Sequence, residues 1–360
     1  MDHSASNYHA LGVMSGTSLD GLDLALCHFS LSDGQWSYAI HKAVTLPYPD
    51  SWQQRLKNAP SLDGLSLLLL HKEYGRYIGE QINAFLSGSN ERPDLIASHG
   101  HTVFHMPENG LTFQLGDGAV LASSCNMTTI TDFRSFDVAL GGQGAPLVPI
   151  GDEMLFGDYD YCLNLGGFAN ISYHKGNKRI AFDICPVNIL INDLSQKLGL
   201  QFDKNGHIGR SGKVINEILS ALDALAFYSA PPPKSLSREW VEQHVLPLIT
   251  SSSYAVPDLI RTVCLHIARQ ITANIDNDPS KKILVTGGGT YNTLLMELLR
   301  DNTSSEFVIP EDNVIQYKEA LIFALLGILR MRNETNCLAS VTGARKDSSS
   351  GIVFFYDPPR

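Results

Sequence analysis

Apolar and polar positions change period repeatedly along this chain. Leu22, Leu24 and Leu26 alternate with other residues after a turn rich in Gly, Ser and Thr, the period-two pattern of a half-buried strand. Residues Trp36–Leu46 predict a further strand leading into Pro47 and Pro49. Between Ser61 and Leu86 the period lengthens: Leu65, Leu68, Leu69, Tyr77, Ile78, Ile82 and Phe85 recur at helical spacing. Asp94–Ala97, Thr112–Leu115 and Thr128–Thr131 read as short strands, with a helix over Gly118–Cys125. The second half repeats the alternation. Strands are predicted at Tyr161–Leu165, Ile171–Tyr173, Arg179–Phe182 and Lys282–Thr286. Helices are predicted over Asn188–Leu198, Gly212–Phe227, Asp258–Ile275, Tyr291–Arg300 and Lys318–Met331. Alternating strands and helices predict an α/β protein in two parts. Gly141–Pro146 reads as an inter-domain linker or, equally well, as a ligand-facing loop.

Composition narrows the class. With 360 residues and 44% hydrophobic content, the chain can bury sizeable cores in two domains. A net charge of -10 without a basic run argues against nucleic acid or an anionic membrane surface as partner. The longest apolar run, Leu65–Leu70, is too short to span a bilayer. Six cysteines without C-x-x-C spacing predict reduced thiols and a cytoplasmic protein, and the polar Met1–Ala10 segment predicts no secretory leader.

Candidate chemistry concentrates in a few stretches. Residues Gly12–Asp23 place Ser15, Thr17 and Ser18 in a turn where Gly16 and Gly21 let the backbone approach an anion. Asp20 or Asp23 suits hydrated magnesium. No G-x-x-x-x-G-K-[ST] motif occurs, so this is not a P-loop. Asp94–Ala97 delivers Ser98-His99-Gly100-His101-Thr102 at the strand end where open α/β sheets hold ligands. His99, His101 and His105 also permit a metal-dependent hydrolase completed by Asp132 or Asp183.

Ordered blocks carry a more specific reading. They are Gly12–Asp23, His99-Gly100-x-Thr102, Asp132-Phe133-Arg134, GGQGAPLVP from Gly141, NLGGFANI from Asn164, and Gly287-Gly288-Gly289 with Asn292. Lys318-Glu319-Ala320 and Val341-Thr342-Gly343-Ala344 complete the set. The chain resembles the sugar kinase, Hsp70 and actin superfamily, and within it the anhydro-N-acetylmuramic acid kinase family. The resemblance implies a two-domain actin-like, ribonuclease H-like α/β fold with an ATP cleft between domains. It places one domain at residues 1–135 with about 338–360, and the other at 136–337. It implies that ATP and water open 1,6-anhydro-N-acetylmuramic acid and yield its 6-phosphate, with Asp183 as general base. By motif position, Gly16, Thr17, Ser18, Asp20, Gly21, Asp23, Gly166, Gly167, Asn170, Gly287, Gly288 and Gly289 face ATP, with Mg2+ on Asp20 or Asp23 and no zinc. His99, Thr102, Asp132, Arg134, Gln143 and Glu319 face the amino sugar. Glu319 is expected to open the late helix, where capping competes with sugar binding.

The sequence departs from the family pattern twice. Asp183-Ile184-Cys185-Pro186-Val187-Asn188 stands where the family has Asp-Thr-Gly-Pro-Gly-Asn, and His101 stands where it has Gln. A left-handed glycine replaced by Cys or Val costs about 1–2 kcal/mol, so a non-catalytic sugar or nucleotide sensor is the alternative reading. Asp183 as a helix N-cap is its structural alternative. The partners implied are small molecules, with a homodimer compatible.

Overall fold

The computed structural model describes residues 6–16, 19–88, 91–250 and 253–356. In chain order the strands are β1 (Ser6–Ser15), β2 (Gly21–Ser32), β3 (Gln35–Pro47), β4 (Leu95–Ser98), β5 (His101–Met106), β6 (Leu111–Leu115), β7 (Thr129–Thr131), β8 (Tyr161–Leu165), β9 (Phe168–Lys175), β10 (Lys178–Pro186), β11 (Lys282–Thr286), β12 (Glu306–Val308) and β13 (Ile352–Phe354). The principal helices are α1 (Gly64–Leu86), α2 (Gly118–Cys125), α3 (Val148–Leu155), α4 (Asn188–Gln196), α5 (Val256–Thr272), α6 (Thr293–Asp301) and α7 (Asp312–Met331). Among the described residues no helix is long and apolar enough to cross a membrane.

The chain forms two compact units, Met1–Leu155 with Tyr317–Arg360, and Phe156–Gln316. The first carries a sheet of order β13-β7-β4-β1-β2-β3, and the second one of order β10-β9-β8-β11-β12. In each, three consecutive strands form an antiparallel meander, and the first of them is flanked by parallel strands reached through helices. The same α/β plan therefore occurs twice, as the actin-like, ribonuclease H-like architecture requires.

In the first unit, alternation along β1 decides which helix each residue meets. Leu11 and Val13 join Leu22, Leu24 and Leu26 against Tyr74, Ile78 and Ile82 of α1. Gly12 faces the other way, where a Cβ would collide with the Ala320 carbonyl of α7. A Cβ on Gly327 of α7 would similarly stand 2.7 Å from Ala97 on β4. Glycine at both crossings lets α7 lie close on the sheet. Helix α1 begins later than Ser61, because Asp63 accepts the Ser66 N–H at 3.0 Å as N-cap; residues Ala59–Ser61 form a separate 3-10 turn.

The unit boundaries differ from those expected at 135/136 and 337/338, and the reason is local. Gly142 N–H donates to the Asp137 carbonyl, Gly144 N–H to Asp137 Oδ2 at 2.7 Å, and Gln143 N–H to the Thr342 carbonyl. Helix α3 is held by a buried Asp152–Lys318 pair at 2.6 Å, and a Cβ on Gly151 would lie 2.6 Å from Ile322. The Gly141–Pro146 segment is thus a fastened loop of the first unit.

In the second unit, β8, β9, β10 and β11 pack against α4, α5 and α6 through Leu163, Ile171, Phe182, Leu190, Ile267, Val285 and Leu295. The single helix expected over Gly212–Phe227 is broken into Asn216–Asp223 and Ala226–Ser229. Gly212 lies flat against Pro257, where a Cβ would strike the carbonyl. Lys213 and Ile215 give their N–H groups to Asp258 and Thr262 of α5 instead of to a helix turn. Tertiary hydrogen bonds here override helix propensity.

Candidate functional site

The first unit gathers its functional groups at the C-terminal ends of β4 and β7. His99 follows β4 and is buried. Its Nδ1–H donates to the Gly100 carbonyl at 2.8 Å, and its Nε2 accepts from Arg134 Nε at 2.9 Å. Those roles demand a neutral ring, which loss of hydration and the Arg134 charge enforce by holding its pKa well below the ordinary value. Arg134 also donates through Nη1 to the Gly144 carbonyl at 2.6 Å. With Nε committed to His99, the end-on Nη1/Nη2 edge remains for a ligand.

Asp132 adopts a left-handed backbone, φ 55, at the end of β7, and its carboxylate accepts the Ser135 N–H at 3.2 Å. Asp132 and His99 line a cavity of about 150 Å³ with His71, Ser98, Asp117 and Thr131. The Ser98 hydroxyl is buried there without a hydrogen-bond partner among the described residues, so the cavity offers a polar group to whatever enters. Thr102 accepts a long 3.4 Å contact from Gln114 Nε2. Gln143 is exposed, with its backbone N–H on the Thr342 carbonyl.

Glu319 lies well inside α7, which starts at Asp312, so it caps no helix. The Lys318-Glu319-Ala320 block now has a part for each residue. Lys318 pairs with Asp152, and the Ala320 carbonyl meets Gly12. Although the Glu319 side chain reaches solvent, the protein around it raises its pKa by desolvation, opposed by Arg134 and reinforced by Asp23. Asp23 is also raised, by burial first, and Asp20 adds to it; Thr45 Oγ1 opposes by donating to Asp23 at 2.6 Å. Hard oxygen ligands that repel one another in this way fit a hydrated magnesium ion.

The opening turn divides into parts. Thr17 and Ser18 lie outside the described residues. Gly16 accepts the Leu19 N–H at 3.4 Å. Gly21 is glycine because β3 passes so near: a Cβ there would stand 2.6 Å from the Leu46 carbonyl. Ser15, expected to face phosphate, is 2% exposed and committed to an internal chain. Tyr48 donates to Ser15 at 2.8 Å, Tyr74 and Tyr48 share a 2.6 Å bond, and Ser15 meets His101 Nδ1 at 3.1 Å. Satisfying every buried proton makes the chain run Tyr74 to Tyr48 to Ser15 to His101. Burial lowers the His101 pKa to about 4. His105 Nδ1 is within 3.2 Å of the Thr112 hydroxyl. Among the described residues no three His, Cys, Asp or Glu side chains stand where one ion could hold them.

The second unit presents a polar row across its sheet. Thr286 of β11 registers with Asn164 of β8, Asn164 with Asn170 of β9, and Asn170 with Asp183 of β10. Residues directly opposite one another share a face, so Asp183 ends the row on the sheet edge. Asp183 lies within β10, at a register shift that precedes Cys185. It is no helix cap: Val187 precedes α4, which has no side-chain cap. Its Oδ2 accepts the Leu236 N–H at 2.8 Å. Burial raises its pKa, with the Leu236 bond opposing, as suits a base that must hold a proton.

The altered residues around Asp183 cause no left-handed strain. Val187 has φ -123, and Cys185 is absent from the positive-φ positions. Ile184, Cys185 and Val187 are each at most 1% exposed and form part of the core. Next to them, Gly166 and Gly167 carbonyls accept from Asn188, Val187 and Ile189 N–H groups, which closes the α4 N-terminus. Gly287 is confined by φ 84 and by Asn164 Oδ1, which a Cβ would approach to 2.6 Å. Gly289 presses on Leu165, Gly288 is open, and Asn292 caps α6 by accepting the Leu295 N–H at 3.1 Å. Sequence reasoning missed Asp137, Tyr48, Thr286 and Leu236; only Asp137 had a local signal, three residues beyond the quoted Asp132-Phe133-Arg134 block.

Comparison with known proteins bears on this arrangement. The family profile described as anhydro-N-acetylmuramic acid kinase matches residues 8–356. A protein of that name from Vibrio cholerae is 35% identical over 375 residues, covering 96% of this chain and 98% of its own. One from Bacillus cereus is 32% identical over 381 residues, covering 97% and 99%. Among solved structures, the activator of the 2-hydroxyisocaproyl-CoA dehydratase from Clostridium difficile is similar at TM-score 0.42 and 12% identity, covering 88% of this chain and 93% of that one. Component A of the (R)-2-hydroxyglutaryl-CoA dehydratase of Acidaminococcus fermentans is similar at TM-score 0.44 and 13% identity, covering 88% and 96%. With the profile and both kinases aligned from end to end, the chain belongs to the anhydro-N-acetylmuramic acid kinase family and is a carbohydrate kinase.

Proposed function

We propose that this kinase uses ATP, Mg2+ and water to convert 1,6-anhydro-N-acetylmuramic acid into N-acetylmuramic acid 6-phosphate, a step of peptidoglycan recycling. The observation that carries the proposal is Asp183 at the end of the Thr286–Asn164–Asn170 row, half-buried and with a raised pKa. A carboxylate so placed takes a proton from water as the oxygen attacks the anomeric carbon. The C1–O6 bond breaks, O6 takes the γ-phosphoryl group, and ADP departs. Arg134 offers its Nη1/Nη2 edge to the lactyl carboxylate, fixed by His99 and Gly144. Asp132, Thr102, Gln143 and Glu319 bind other parts of the sugar. Gly16, Thr17, Ser18, Gly21, Gly166, Gly167, Asn170 and Gly287–Gly289 serve the nucleotide. Asp20 or Asp23 would hold magnesium, which supplies charge neutralisation to the phosphates.

Both ring nitrogens of His99 are used within the protein, which disfavours a hydrolase metal centre on that histidine. The well-packed Ile184–Val187 segment disfavours a degenerate loop and so a catalytically dead sensor. Six buried free thiols suit the reducing cytoplasm. The test is ADP release that depends on the anhydro sugar, and its loss by about two to four orders of magnitude in Asp183→Asn. An unchanged rate in that variant would refute the role of Asp183.

A further inference from the structure

The segment between Ser229 and Arg238 has no regular structure, yet it is fastened to the site. It runs Ala230-Pro231-Pro232-Pro233-Lys234-Ser235-Leu236-Ser237. β10 is the outermost strand of its sheet, and its free edge is where this segment attaches. Asp183 N–H donates to the Lys234 carbonyl at 3.1 Å, as a neighbouring strand would require. The returning bond breaks the strand pattern: Leu236 N–H goes to the Asp183 side chain, Oδ2 at 2.8 Å. Two bonds two residues apart thus hold both the backbone and the carboxylate of one residue. The register shift between Asp183 and Cys185 falls at the same point of the strand.

The strap is itself held. Lys234 Nζ donates to the Phe227 and Tyr228 carbonyls at 3.2 and 3.3 Å, and stands 4.8 Å from the Phe227 ring centre and 5.8 Å from that of Phe182. Ser237 caps the following helical turn by accepting the Trp240 N–H at 3.3 Å. Among the described residues the titratable groups beside Asp183 are the buried Cys185 and, next to it, Lys234, engaged as described, while Tyr228 lies farther on, by Cys185 and Asp223. Asp183 Oδ1 takes no hydrogen bond from any described residue.

We infer that residues 234–236 form a positioning strap in which the Leu236 backbone N–H fixes Oδ2 of Asp183 and leaves Oδ1 to meet the attacking water. Leu236 acts through the carboxylate and touches no substrate. The inference rests on the reading of Asp183 as general base and names the element that aims it.

The test removes one N–H. Leu236→Pro deletes the donor, whereas Leu236→Ala keeps it. A second variant replaces Leu236 by its α-hydroxy acid counterpart, which retains the side chain and chain length should proline prevent folding. Removing the bond should move the acid limb of kcat/KM upward by about one pH unit; Leu236→Ala should leave the limb in place. A limb that stays put in the ester variant, or moves equally in Leu236→Ala, overturns the strap. The Asp183 carboxyl carbon, identified in NMR spectra by its loss in Asp183→Asn, should titrate higher by the same amount. That readout separates the two claims: full activity of Asp183→Asn refutes the base, while an unmoved carboxyl titration refutes the strap.

Discussion

His101→Gln should make the first unit markedly less sensitive to acid. His101 is 5% exposed and titrates at about 4, against an ordinary value of 6.5. An unfolded chain therefore binds a proton at this residue before the folded one does. Stability is fully present above the unfolded value and is lost as pH falls from 6.5 toward about 4. The gap between those values corresponds to about 3 kcal/mol at the acid end, of which roughly 2 kcal/mol is already lost at pH 5. Glutamine does not titrate, so the variant should lack this part of the acid limb, whatever its stability at neutral pH. The assay is urea unfolding from pH 7.5 to 4.5 in a Trp240→Phe background. The remaining tryptophans, Trp36 and Trp52, then both report on the first unit. Parallel stability profiles for the parent and His101→Gln would refute the buried neutral histidine and the hydrogen-bond chain built on it.

Other perturbations probe separate parts. Tyr48→Phe interrupts the chain between Tyr74 and Ser15 and should cost about 1–3 kcal/mol in unfolding experiments; a neutral effect would mean the chain is not satisfied as described. Gly287→Ala meets both a left-handed backbone and Asn164, so ATP affinity measured by calorimetry should fall at least tenfold, while an unchanged affinity would remove this turn from the nucleotide site. Cys185→Gly with Val187→Gly empties core positions and should lower the second unit's stability by about 2–5 kcal/mol. A rise in turnover from that pair would instead support a degenerate loop. Arg134→Lys loses the Nε bond to His99 and should raise KM for the sugar more than tenfold while changing ATP affinity little; an unchanged KM would place the carboxylate elsewhere.

Elements with a clear local period were legible in the sequence. Tyr161–Leu165 and Lys282–Thr286 occur within their expected bounds, because a buried parallel strand is an apolar run with sharp turns at its ends. The Gly212–Phe227 helix was misread since Asp258 and Thr262, far along the chain, capture its first N–H groups. The Gly141–Pro146 segment reads equally as a linker or a ligand-facing loop in the sequence, because its fastening depends on Asp137 and Thr342. Family motifs single out Asp183, His99 and Arg134 as candidates, but no motif tells that His99 spends both nitrogens on Gly100 and Arg134. Ser15 shows the same limit: its partners Tyr48 and His101 come from other strands and loops. Leu236 was invisible for a different reason, since its contribution is a backbone N–H that any residue except proline supplies.

The central claim is that water, prepared by Asp183, attacks the anomeric carbon while O6 receives the phosphoryl group. Turnover of 1,6-anhydro-N-acetylmuramic acid with ATP in 18O-labelled water tests it most directly, with the product read by mass spectrometry. One 18O atom is expected on C1 of the sugar and none in the transferred phosphate, with loss of this product in Asp183→Asn by about two to four orders of magnitude. Label in inorganic phosphate, with the anhydro ring intact, would contradict it.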